Sequence, residues 1–117
     1  MSHTDEMSEA EQHRVKFARR LPASLAELTG PTSGTVELPL HVVWSGLNTF
    51  DLANPRQRMG LYRTVLAEGM REDLCRHLNQ DLLLSLWPTL RTLIGRSVRD
   101  VWEDAFPQLR RAAQAAA

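Results

Sequence analysis

The chain has almost no lysine, a single cysteine, a single tyrosine and no net charge. Of its 14 basic residues only Lys16 is a lysine, and 14 acidic residues balance them. Neutrality removes any global electrostatic case for nucleic acid or acidic substrates, so such a case must rest on local clusters. The dominance of arginine fits a GC-rich genome. Chemically it supplies planar, bidentate donors suited to carboxylate or phosphate partners. One cysteine, Cys75, cannot form an internal disulfide or a thiolate zinc site. It stands beside Leu74 and Leu78 on an apolar helix face and reads as a buried structural thiol. No apolar run approaches the roughly 20 residues that cross a bilayer. The N-terminal MSHTDEMSEAEQH opens acidic, without a charged-then-apolar signal pattern. These absences lead us to expect a cytoplasmic chain of one domain, 117 residues long, with a modest core and no cofactor.

Residues 1–34 read as a polar tail. Asp5, Glu6, Glu9 and Glu11 precede Arg14, Lys16, Arg19 and Arg20, the order a helix dipole favours. Apolar content is low, so a helix here is marginal unless it docks. Ser24, with Glu27 three residues on, predicts a capping box for a short helix. Thr29-Gly30-Pro31-Thr32-Ser33-Gly34 predicts a hinge. From Thr35 the period becomes two. Val36, Leu38, Leu40, Val42 and Trp44 alternate with Thr35, Glu37, Pro39, His41 and Val43, which predicts a strand confined to an edge by Pro39. A turn over 45–48 and a return through Thr49–Leu52 complete a hairpin.

Asn54-Pro55 is the clearest helix start. Met59, Tyr62, Val65 and Leu66 follow at helical spacing, and Gly69 is placed to end the helix in the left-handed conformation. A second helix begins near Met70, and Asn79 caps a third. Pro88 predicts a break at Trp87. A last helix runs Ser97 to Phe106, with Ser97 and Asp100 as a weak capping box and Pro107 as its stop. Residues 110–117 read as an Ala-rich frayed end. The expected fold class is mainly α with a short β-hairpin (α+β), a hairpin-plus-helix module over 35–109 behind its tail.

Nucleophilic catalysis needs a nucleophile, a base and an orienting group held together. Of the four histidines, His3 and His13 fall in the tail, His77 reads as solvated and His41 as a surface residue of the strand. His77 with Asp73 offers two metal ligands, too few for a site. Glu72-Asp73 and Glu103-Asp104 are adjacent acids that diverge around their helices and read as solvated faces. Gly30 and Gly34 lack the Lys-Ser or Lys-Thr of a phosphate loop. The reading is therefore non-enzymatic, with no catalytic and no metal residue assigned.

Binding residues are better represented. Arg14, Lys16, Arg19 and Arg20 form the best local nucleic-acid signal. Arg56, Arg58 and Arg63, with Arg71 and Arg76, form a second basic set. A helix-turn-helix pairing around Gly69 is disfavoured by Glu72 and Asp73 at the start of the would-be recognition helix. Trp, Tyr and Arg are enriched at binding hot spots. Trp44, Phe50, Tyr62, Arg63, Trp87 and Trp102 are accordingly the expected partner-binding residues, with Tyr62, Arg63 and Trp87 exposed and Trp44 foremost.

One resemblance narrows the partner. The words Leu-Pro-Leu-His-Val-Val-Trp-Ser-Gly (38–46), Phe-Asp-Leu (50–52), Pro55 with Arg56 and Arg58, Leu-Tyr-Arg-Thr-Val-Leu-Ala-Glu-Gly (61–69), Asp73-Leu74, Leu86-Trp87-Pro88 and Val98-Arg99…Trp102-Glu103…Phe106-Pro107 occur in this order. The pattern resembles a group of small proteins of high-GC bacteria, often labelled transcriptional regulators and encoded beside nucleotidyltransferase-like toxins of the abortive-infection type. The resemblance covers 35–109. It implies an antitoxin that binds a cognate nucleotidyltransferase-like toxin and holds its activity off by protein–protein contact. The alternative is a DNA-binding transcriptional regulator, autoregulating its operon through operator DNA.

Overall fold

A computed structural model describes residues 8–43 and 48–116. The first helix, α1 (Glu9–Ala18), is capped by Ser8, whose Oγ accepts from the Glu11 N–H at 3.2 Å. No α1 residue is fully buried. The helix holds because it docks: Val15, Ala18 and Leu21 share an apolar cleft with Val101 and Ala105 of the later helix α5 (Arg96–Ala105). A single-turn 3-10 segment follows at Leu25–Glu27. Ser24 makes no side-chain cap there; Glu27 Oε1 instead accepts from the Ala23 N–H at 2.9 Å. The acidic half of the expected box is present, one residue displaced.

Leu25 and Leu28 enter the core, and the backbone behind them is tied down where a hinge was expected. Thr29 N–H donates to Cys75 O at 3.1 Å and Gly30 N–H to Leu78 O at 2.7 Å. A Cβ on Gly30 would lie 2.5 Å from the His77 carbonyl carbon, so the close approach needs glycine. Beyond it, Gly34 takes a left-handed φ of 83° and leads into the hairpin.

Strands β1 (Thr35–Glu37) and β2 (Thr49–Asp51) pair antiparallel, with Val36 opposite Phe50. The strand expected through Trp44 ends at Glu37. Leu38 N–H still reaches Asn48 O at 2.8 Å, but Val42 and Val43 N–H both turn back onto Pro39 O, at 3.0 and 3.1 Å. This turn breaks the alternation: Leu38 and Val42 are buried, whereas Leu40 is 73% exposed. Trp44 lies outside the described residues.

Helix α2 (Pro55–Glu68) starts as the sequence predicts, with the Asn54 side chain accepting from Arg56 and Gln57 N–H at 3.0 and 3.2 Å. Gly69 ends it at φ −78°, not in the left-handed region. Glycine is needed there because a Cβ would meet Val65 O at 2.7 Å. Helix α3 (Arg71–His77) and helix α4 (Gln80–Leu90) follow, and Asn79 caps α4 through bonds to Asp81 and Leu82 N–H.

Helix α4 does not break at Pro88. Leu83, Trp87 and Leu90 are all fully buried, and that burial outweighs the hydrogen bond a proline cannot make. Helix α5 starts after Gly95 without a side-chain cap. Asp100, expected in a box with Ser97, instead pairs with Arg14 and Arg99. Pro107 stops α5 and opens α6 (Pro107–Ala115). The expected frayed end is thus a helix through Ala115, anchored by fully buried Leu109 against α4 and α5. The fold is mainly α with a two-stranded antiparallel hairpin. Among the described residues no helix is long and apolar enough to cross a membrane.

Candidate partner-binding surface

The aromatic residues expected to meet a partner are mostly inside. Phe50, Tyr62, Trp87 and Trp102 are buried, Tyr62 and Trp87 completely. The expectation that Tyr62 and Trp87 are exposed is therefore corrected. Their polar atoms find partners within the core, which makes full burial affordable in solvation terms. The Tyr62 hydroxyl accepts from Asn79 N–H at 2.9 Å. Burial pushes its pKa up to about 12, against the opposing pull of that bond and of the Arg58 charge. Trp87 Nε1–H donates to Glu103 Oε2 at 2.9 Å. Trp102 stacks at a tilt on Phe106, ring centroids 5.4 Å apart. Of the described members of the expected set, Arg63 alone is exposed.

Two acids and a histidine expected on solvated faces are also buried. Glu103 accepts from Trp87 and from Arg91, whose Nε lies 2.7 Å from Oε2. Burial raises the Glu103 pKa, but the bonds from Arg91 and Trp87 and the Arg91 charge more than offset this, holding the carboxyl below its usual range. Asp73 accepts from Met70 N–H at 2.9 Å and from His41 Nε2 at 2.9 and 3.1 Å. Burial raises it too, and the Met70 and His41 bonds with the charges of His41 and His77 bring it below the usual carboxylate range. His77 is buried beside it, and its pKa is lowered, first by desolvation and then by Arg76 and His41, against Asp73.

The sequence reading joined Asp73 to His77 as two metal ligands; the hydrogen bond runs to His41, which is exposed and sits in the 39–43 turn. The pair pins that turn to the start of α3. Among the described residues no group of three or more His, Cys, Asp or Glu side chains is placed to hold a metal. Cys75 is half-buried rather than buried, and desolvation followed by the Glu27 charge raises its thiol pKa.

Two surface grooves each gather more than one of the cations singled out in the sequence. One, of about 520 Å³, is lined by Pro55, Arg56, Met59, Gly60 and Arg63 of α2 and by Leu93 from the turn after α4. Leu93 is 43% exposed. Arg56 and Arg63 are exposed, and neither guanidinium has a hydrogen bond or ion pair among the described residues.

The second groove, of about 620 Å³, is lined by Lys16, Arg19 and Arg20 at the end of α1 and by Met70, Arg71 and Glu72 at the start of α3. Arg71 Nη2 donates to Arg19 O and Arg20 Nη1 to Ala67 O, each at 3.3 Å. Lys16 Nζ and Arg20 Cζ lie 5.4 and 5.3 Å from the Phe17 ring centroid. Arg14, expected with this cluster, turns to Asp100 at 3.6 Å. The structure keeps three of the four expected cations together and adds Arg71. No local signal could have placed Arg71 there, because the juxtaposition depends on where α1 docks. No family model, curated protein or solved structure matches the chain.

Proposed function

We propose that the chain is an antitoxin: a non-catalytic module that binds a nucleotidyltransferase-type toxin and inhibits it by protein–protein contact. The observation that carries this reading is the α2 groove. It is lined by apolar Met59 and Leu93 and by two arginines that no carboxylate neutralises among the described residues. Arginine beside apolar side chains is a composition enriched at interface hot spots. The groove also falls inside the segment 35–109 that resembles antitoxins, which supplies the identity of the partner.

The core aromatics have a different part in this reading. They pack α2 and α4 into one core, which fixes the backbone that carries the groove. The test is co-expression with the nucleotidyltransferase encoded beside the gene. We expect a co-purifying complex and restored growth, with Arg63→Glu and Arg56→Glu together weakening both. No complex and no rescue by the native chain would reject the proposal. A complex indifferent to the double reversal would move the interface elsewhere.

A further inference from the structure

We propose that the groove between α1 and α3 is a sequence-independent binding site for the phosphodiester backbone of double-stranded nucleic acid, built from Lys16, Arg19, Arg20 and Arg71. This surface is separate from the α2 groove and does not depend on the toxin-binding reading.

The chain is neutral, yet pairing is uneven. Arg14 and Arg99 share Asp100, Arg91 holds Glu103, and Arg110 holds Asp104 at 2.7 Å. None of Lys16, Arg19, Arg20 or Arg71 has a carboxylate within ion-pair distance among the described residues, and Glu72 is the single acid lining their groove. Crowding four cations costs Coulomb energy that a polyanion would relieve.

The cluster is preorganised. Two of the cations are anchored to carbonyls of the neighbouring segment: Arg71 on Arg19 O and Arg20 on Ala67 O. Each carbonyl occupies only part of a five-donor guanidinium, leaving N–H groups for phosphate oxygens. Lys16 and Arg20 are further steadied over Phe17.

The make-up of the groove favours a duplex backbone over an acidic protein. A protein partner normally covers an apolar centre. This groove has exposed Met70 as its one apolar lining residue; the others are four cations and Glu72, brought together from the end of α1 and the start of α3. The start of α3 carries Glu72 toward the groove, which disfavours insertion among bases and favours contact with the backbone alone.

The experiment is fluorescence anisotropy of the full chain with a labelled 20-base-pair duplex of arbitrary sequence, across a potassium chloride series. We expect a Kd of about 1–100 μM at low salt, and a log–log salt slope of roughly −3 to −4 for four cations. Lys16→Glu with Arg19→Glu should weaken binding about tenfold or more and flatten the slope by about two, whereas Arg111→Glu, an exposed cation outside both grooves, should leave it nearly unchanged. Arg71→Ala also removes a bond to α1, so the Lys16 and Arg19 variants, which break none of the anchoring bonds, carry the test. No binding at 50 mM salt would overturn the proposal. So would competition by polyglutamate equal to that of the duplex, or an equal loss in the Arg111→Glu control. Because growth rescue is scored separately, failure here leaves the antitoxin reading standing, and the reverse.

Discussion

Two regions of the molecule treat arginine differently. Around α4, α5 and α6, three guanidiniums are paired among the described residues: Arg91 grips a carboxylate that also accepts from a fully buried tryptophan, Arg99 meets Asp100, and Arg110 closes onto Asp104. Between α1 and α3 the cations meet carbonyls and a phenyl ring, but no carboxylate among the described residues. The first pattern is structural, since a buried carboxylate is tolerable only with its charge and lone pairs satisfied. The second leaves ligand-binding capacity unspent. An arginine count taken from composition cannot separate these two uses, because the difference lies entirely in what stands opposite.

Four changes would sharpen or break this contrast. Glu103→Ala should have the largest effect. It strands Trp87 Nε1–H in the core and leaves Arg91 without its partner, so we expect a loss of about 2–4 kcal/mol in urea unfolding. A loss under 0.5 kcal/mol would mean the paired region is not held by its pairing. Tyr62→Phe comes next. It deletes the acceptor for Asn79 N–H and should cost about 1–2 kcal/mol, read in the same assay; a neutral result would show that water replaces the hydroxyl.

Acid should act on the polar core in two steps. His77 has a lowered pKa in the fold, so its neutral form is favoured there. Its contribution is present above the unfolded value of about 6.5 and is lost as pH falls from there through the folded value. Asp73 and Glu103 are lowered carboxyls. Their contribution is full above the unfolded values near 4 and is lost as pH falls through the folded ones. Thermal midpoints should therefore decline first below about pH 6.5 and again below about pH 4, and His77→Gln should remove the first decline selectively. The smallest stability effect belongs to the exposed cluster. Lys16→Ala or Arg19→Ala should change stability by no more than about 0.5 kcal/mol. A larger loss would place those cations among the structural ones.

How far the sequence reached depended on how local each signal was. The Asn54-Pro55 start of α2 and the Asn79 cap of α4 are contacts within three residues, and both were legible. The Gly69 stop was legible in position but not in kind, since glycine there serves a close approach to Val65 O rather than a positive φ. Pro88 was misread because its cost is local whereas the burial of Trp87 and Leu90 that overrides it is tertiary. Of the candidate site, Arg63 kept its exposure, while Tyr62 and Trp87 moved inside. Nothing near them in the chain says that Asn79 and Glu103 will satisfy their polar atoms.

Sequence alone determined the fold class, the main helix starts, and the presence of two basic sets in a neutral chain. Each follows from spacing, capping chemistry or composition over short stretches. Tertiary structure alone decided which cations are consumed and which remain. Arg14 leaves its cluster for Asp100, Arg71 joins Arg19, and His41 rather than His77 bonds Asp73. The physical reason is that charge pairing acts over a few ångströms in space, and only the docking of α1 on α5 and the turn at 39–43 set those distances.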